Sequence, residues 1–439
     1  MLGTLNANRG EPRRIAAFRR PPIAPAGAVA ATSHLAESMS QANAVLSEQL
    51  HPTRDEPCVP CRPTGRPGTW RIGPIAAARR LLQAARRPLP YLLLTAVLVV
   101  LLMSALAAAN FHLAPLSYST AAQTSVADAL AAGGNYAVFD LNLDTRGLRR
   151  AHIARLQRRP DVVVLGASHW QEAHADLLPG RRFYNAHVHR DYHEDLLAVV
   201  EMLLRHDRLP KTLLMSIRDM TFLAEEQRTD TLWLTGLPDT NAMRARLGIA
   251  RPWLETGPLK RWLGLLSLSA MLNNGWRELV AAARPGPVEA PSLPTMDVLR
   301  ADGSIAWSDS HRDQFTPERT SAEVDAAIAQ RQNLTLEIDQ AAVAAVDRLL
   351  SLLRQHGVRV VLIHPPFNPD FYRQVKGTAY GAGLLRVEAV TAQLAAANQA
   401  TRIGSFDPAV AGCTAGMFID AEHSGPACLR RLIDLVPGL

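Results

Sequence analysis

Nineteen consecutive uncharged residues, Tyr91 to Ala109 (YLLLTAVLVVLLMSALAAA), divide this 439-residue chain into two unequal parts. As an α-helix rising about 1.5 Å per residue, the run spans about 28 Å, close to the hydrocarbon thickness of a bilayer. Arg79, Arg80, Arg86 and Arg87 crowd its N-terminal side, and the next charge beyond it is Asp128. The positive-inside rule then places the N-terminus in the cytoplasm and the bulk of the chain across the membrane. Three regions follow: a basic, disordered cytoplasmic tail over 1–88, a transmembrane helix over 89–110, and an extracytoplasmic domain over 111–439. A signal peptide is the rival reading, although its apolar core would be shorter and nearer the start of the chain. An uncleaved anchor fits better, and the small residues Ser104 to Ala109 leave cleavage open.

The net charge of +7 is a property of the tail. Residues 1–88 hold thirteen Arg and five acidic residues, a net of +8, which leaves the rest at −1. A nearly neutral folded part excludes a nucleic-acid-binding face, while the tail's arginines suit anionic headgroups of the inner membrane. Residues 1–66 are rich in Arg, Pro, Ala and Ser without apolar periodicity, and Ile72 to Gln83 reads as a short basic amphipathic helix. Cys58 and Cys61 form a lone CxxC in the tail, which without a second pair of ligands reads as reduced thiols. Cys413 and Cys428 lie on the oxidising side. A disulfide between them would close a loop of about 15 residues and stabilise by roughly 3 kcal/mol in the chain-entropy model.

Beyond the connector 111–135, apolar runs and helical periodicities alternate. Helices are expected over 145–157, 193–206, 384–397 and 427–435, with a long one over 321–356 interrupted near Asn333. Strands are expected over 162–165, 182–188, 212–217, 358–363 and 402–406, several of them unbroken apolar runs of the kind buried on both faces. Residues 220–320 read as a helical insertion, with a turn or hairpin at 297–304. Strands alternating with helices imply an α/β fold: a flavodoxin-like, three-layer parallel sheet whose site lies at the carboxyl ends of its strands.

Chemistry-bearing residues stand at the two ends of that pattern. The first strand ends in Gly166-Ala167-Ser168, a tight turn that would present the Ser168 hydroxyl at the rim, with backbone N–H groups nearby for an oxyanion. Near the C-terminus, Asp420-Ala421-Glu422-His423 sets a carboxylate three residues from an imidazole. His423 can then act as base toward Ser168, with Asp420 fixing its tautomer.

With Asn185 after the second strand, these motifs resemble the SGNH/GDSL hydrolase superfamily in its divergent, membrane-anchored form, over about 160–220 and 355–435. Similar proteins serve alginate and peptidoglycan O-acetylation and D-alanine transfer to teichoic acids. The resemblance implies acyl transfer to or from a cell-envelope or exported polysaccharide at the periplasmic face of a bacterial inner membrane. Ser168 would carry the acyl group, with no cofactor. A single span moves no acyl group across a membrane, so a transferase would need a polytopic acyl-exporting partner. The family's oxyanion Gly after the Asn185 position is absent, and its Gly-x-Asn-Asp block is replaced by Ser216-Ile217-Arg218-Asp219. Arg190 or Arg218 could substitute as a cationic donor. Otherwise the fold is retained without chemistry, as a carbohydrate-binding or scaffold subunit.

Histidines cluster at His169, His174, His187, His189 and His193. With Asp191 or Asp195 they could ligate a transition metal, but a polar rim is the simpler reading and no metal is assigned. Trp233, Trp253, Trp262 and Trp276 could stack on sugars, although core packing is the default at that spacing.

Overall fold

The computed structural model describes residues 89–113, 119–138, 145–228, 235–250, 266 and 285–439. The readings made for the tail, its CxxC and Trp233, Trp253, Trp262 and Trp276 lie outside the described residues.

Leu, Ala and Met favour a helix, and nothing in the apolar run interrupts one. It forms α1 (Leu89–Leu113), which extends past Tyr91–Ala109 at both ends. Its segment Pro90–Phe111 is long and apolar enough to cross a membrane, and its most apolar window is unburied. After it come α2 (Thr120–Ala131), capped by the Ser119 side chain, then β1 (Asn135–Val138) and α3 (Thr145–Ile153).

The parallel sheet begins with β2 (Val162–Leu165), β3 (Phe183–Asn185), helix α4 (His193–Arg205) and β4 (Thr212–Ser216). Then follow α5 (Leu237–Arg246), the short strands β5 (Gly286–Val288), β6 (Asp297–Leu299) and β7 (Ile305–Ala306), and α6 (Pro317–Arg331). The chain returns to the sheet through α7 (Gln340–Gln355), β8 (Arg359–His364), α8 (Pro369–Val375), α9 (Ala379–Asn398), β9 (Thr401–Gly404) and α10 (Pro426–Asp434). The sheet order is β3-β2-β4-β8-β9, all parallel. In order of appearance that is 2-1-3-4-5, the flavodoxin-like order.

Alternation along the strands splits their side chains between two faces. Val163, Leu165, Leu213, Met215, Val360 and Leu362 pack with residues of α4, α7 and α9. Val162, Val164, Leu214, Val361 and Ile363 pack with Trp170 and with Cys428, Leu429, Leu432 and Ile433 of α10. Burying each such side chain stabilises by about 1.5–3 kcal/mol, and the result is three layers. The expected long helix is two, α6 and α7. Asp339 caps the second by accepting from Ala341 N, and Ile338 in the gap bridges to Leu223.

In its described part the insertion adds short strands to helix α5. β5, β6 and β7 join β1 in a four-stranded antiparallel sheet of order β5-β1-β6-β7. Its core is Val126, Ala127 and Leu130 of α2 with Val138, Leu148, Leu299, Ile305 and Trp307. The expected hairpin at 297–304 is β6–β7, turning through Gly303 at φ +85°. A Cβ there would also come within 2.3 Å of the Asn185 carbonyl oxygen, so glycine is required twice over.

Candidate active site

β2 delivers Ser168 to the carboxyl rim. A three-residue 3₁₀ turn, Ser168–Trp170, follows it in place of a longer helix. Gly166 is needed for close approach rather than for an unusual backbone angle. A Cβ there would lie 2.4 Å from Ser216 Cβ and 3.0 Å from Trp170 Cδ1. The turn's own hydrogen bonds run from Trp170 N to Ala167 O and from Gln171 N to Ser168 O, so neither uses the N–H groups of Ser168 and His169.

The segment after the turn is fastened from two sides. Ile305 N donates to Gln171 O at 2.7 Å, and Ala175 N donates to Asp302 Oδ2 at 2.7 Å, so the β6–β7 hairpin grips it. Asn185, fully buried, donates through Nδ2 to Trp170 O at 2.6 Å and Ala173 O at 2.8 Å, and its Oδ1 accepts from His187 N at 3.0 Å. Both amide hydrogens of Asn185 are thereby committed. Asn185 thus holds the loop that carries Ser168.

The base turn starts three strands away, after β9. At about 4.8 Å per strand it must reach back roughly 14 Å across the rim. It does so over the loop after β8, where Asn368 N donates to Ala421 O at 3.0 Å and Asn368 Nδ2 donates to Asp420 O at 3.2 Å. Asp420 Oδ1 accepts from Glu422 N and His423 N, each at 2.7 Å, and Ile419 N donates to His423 O, so the turn closes on itself. A Cys413–Cys428 disulfide joins the chain on either side of it, with Cα atoms 5.4 Å apart.

The two ends meet. Ser168 Oγ lies 2.8 Å from His423 Nε2, and His423 Nδ1 lies 2.6 Å from Asp420 Oδ2. Residues 255 positions apart thus form one hydrogen-bonded chain from hydroxyl to imidazole to carboxylate. Ser168 is 8% exposed, while the His423 and Asp420 side chains are about a quarter exposed, so the site opens on the imidazole side. Burial would raise the Asp420 pKa. The facing His423, its hydrogen bonds and the Arg331 charge outweigh that and hold it below the usual value. The carboxylate therefore stays ionised, as an orienting group for an imidazole must.

Arg218 is buried beside the site rather than free within it. Its Nη2 donates to Glu422 Oε2 at 2.7 Å, with Asp219 Oδ1 at 3.7 Å, and its Nη1 lies 3.9 Å from Asp191 Oδ1. Arg331, the last residue of α6, also pairs with Glu422. Arg190 is exposed, with a left-handed backbone at φ 47°, and its carbonyl accepts from Arg146. Of the early histidines, His169 stacks on the His423 ring with centroids 5.4 Å apart. Burial, then the charges of Arg218, His423 and Arg331, hold its pKa well below the ordinary value, so it stays neutral. His187 is buried against Arg149, and Asp195 pairs with Arg146. Among the described residues, no three His, Cys, Asp or Glu side chains gather as a metal would need.

Glu422, Arg331 and Asn368 belong to the site without having been singled out as part of it. Glu422 stood in the quoted motif, between the acid and the base. Arg331 carries no local signal, since only folding brings it to the turn. Compared with known proteins, the chain matches no family and no curated protein.

Proposed function

We propose that this chain is a membrane-anchored serine acyltransferase or esterase of SGNH type, acting on O-acyl groups of a cell-envelope or exported polysaccharide. The observation that carries the reading is the continuous Ser168–His423–Asp420 contact at the carboxyl rim of a 2-1-3-4-5 sheet. In the reaction, Ser168 Oγ attacks the acyl carbon and its proton passes to His423 Nε2. The imidazolium returns that proton to the departing alcohol oxygen as the acyl–Ser168 ester forms. Water or a second sugar hydroxyl then attacks the ester, His423 takes its proton and passes it to Ser168 Oγ as the acyl–Oγ bond breaks, and the carboxylic acid or new ester leaves. The N–H groups of Ser168 and His169, left over by the 3₁₀ turn, are the donors nearest to hand for the oxyanion.

An anchor helix preceded by arginines, and an oxidised cysteine pair in the domain, support a site outside the cytoplasm. The sheet order, with a serine after its first strand and Asp-x-x-His after its last, supports the SGNH resemblance. One observation favours the non-catalytic alternative, a polysaccharide-binding domain on the same fold: Asn185 and Arg218, the side chains nearest the family's donor positions, are both committed elsewhere.

A fluorophosphonate probe separates the two. The acyl-transfer reading expects covalent labelling of wild-type chain at Ser168, lost in Ser168→Ala and reduced at least about 100-fold in His423→Ala, since serine needs its base. Wild-type protein that takes no label, or label that persists in Ser168→Ala, overturns it.

A further inference from the structure

Two hydrogen bonds do not by themselves fix an imidazole. His423 meets Asp420 Oδ2 through Nδ1 at 2.6 Å and Ser168 Oγ through Nε2 at 2.8 Å. Both contacts lie at the edge of the ring, and tilting it about the line that joins the two nitrogens leaves both distances as they are. Only a contact on the face of the ring opposes that tilt. His169, the residue after Ser168, makes one: its ring stacks on that of His423, with centroids 5.4 Å apart and planes 30° from parallel. That separation falls within the range of about 4.5–7 Å over which ring pairs attract beyond the area they bury. His169 is itself buried, whereas about a quarter of the His423 side chain is exposed, so the support comes from the interior side. One 3₁₀ turn thus presents the nucleophile to the edge of the base and a ring to its face.

We propose that His169 is a positioning residue for the base: its ring, stacked on that of His423, removes the tilt that two edge contacts leave free and keeps Nε2 aimed at Ser168 Oγ. The inference rests on the triad reading above and deepens it. The nitrogens of His169 give no rival account of its place. Nε2 lies 3.5 Å from Glu422 Oε2, beyond the ordinary N–H···O range of about 2.7–3.2 Å, and Nδ1 has no partner among the described residues. A buried nitrogen left unpaired is a cost, which the plane of the ring repays at the base. Burial keeps His169 neutral, so the ring lies against an imidazolium without opposing its charge.

Three substitutions separate the ring from everything else about the residue. His169→Phe keeps a stacking plane and removes both nitrogens. His169→Leu keeps apolar bulk without a plane, and His169→Gln keeps a donor toward Glu422 without a plane. The full chain, carrying ¹³C at histidine Cε1, is observed by NMR relaxation in detergent micelles at one fixed pH, with the His423 signal identified by its loss in His423→Gln. The His423 ring should stay as rigid in His169→Phe as in wild type and gain motion in the two ringless variants. Fluorophosphonate labelling should follow. The covalent step slows about tenfold in the ringless variants, with reversible binding of the probe unchanged, and recovers in His169→Phe. A residue that only fills space is replaced by Leu, and one that acts through Glu422 is replaced by Gln. A His423 ring as rigid in either ringless variant as in wild type therefore overturns the proposal. So does a ring loosened in folded His169→Phe, or an equal covalent rate in all four proteins. Should His169→Phe fail to fold, either ringless variant decides by the first criterion. The relaxation measurement uses neither substrate nor probe. A wild-type chain that never takes the label thus removes the acyl-transfer reading, while the rigidity comparison still decides the role of His169.

Discussion

At the scale of residues, the site is surrounded by carboxyl groups whose burial controls their charge. Asp191 is fully buried, and neither of its oxygens meets a hydrogen-bond donor among the described residues. Burial raises its pKa to about 7 against the opposing charge of Arg218. Burial likewise raises Glu172, four residues after Ser168, to about 7 despite its contact with Arg312. A folded-state pKa above the unfolded value means that the folded chain binds the extra proton. The associated stability is present in full below about pH 4, the unfolded value, and is lost as pH rises through about 7. Buried histidines held below their usual pKa, such as His152, His169 and His187, contribute with the opposite sign. The reading is therefore a difference: from pH 5 to pH 8 the unfolding midpoint of wild-type protein should fall relative to that of Asp191→Asn, which keeps the shape and removes the titration. Equal slopes for the two proteins would show that Asp191 titrates as an ordinary exposed acid.

At the scale of elements, the base turn has no core of its own and depends on ties. A backbone bridge between Phe418 and Ser424, Asn368 beneath it and the Cys413–Cys428 disulfide hold it. The disulfide closes a loop with a sequence separation of 15. Replacing both cysteines by serine should lower unfolding stability by about 3 kcal/mol in the chain-entropy model, read by chemical denaturation of the full chain. The same variant should label more slowly at Ser168, because the imidazole loses its fixed aim. Unchanged stability would mean that the turn is held by its hydrogen bonds alone. The same ties mark what was legible in the sequence. Val162–Leu165 and Val360–Ile363 announce buried strands by unbroken apolar runs, and the Asp420/His423 spacing announces a paired acid and base. β1 and β5 announce nothing. They have four and three residues, include Asn135, Gly286 and Pro287, and pair with each other across some 150 positions. Arg331 was invisible for the same reason: its partner is set by folding, while its own surroundings in sequence are an ordinary polar helix.

At the scale of the whole molecule, α1 is the feature consistent with a single-pass membrane anchor. Its most apolar window is unburied, and its segment Pro90–Phe111 is long enough to span a bilayer. The chain should therefore remain with membranes through alkaline carbonate extraction. An Arg placed at its centre, as in Val99→Arg, costs about 2.5–3.5 kcal/mol in insertion and should release a fraction into the wash. Complete extraction of wild-type protein would remove the anchor reading.

The sheet order has a consequence beyond placing the site. The hydroxyl follows β2 and the imidazole follows β9, with β4 and β8 between them, so the span that the late turn must cross is set by the width of the intervening backbone. The sheet acts as a ruler. A change that shears or spreads those two middle strands by a fraction of one spacing would open the contact while leaving every member of it intact, so substitutions far from the rim, deep under α7 or α9, can break the Ser168–His423 contact.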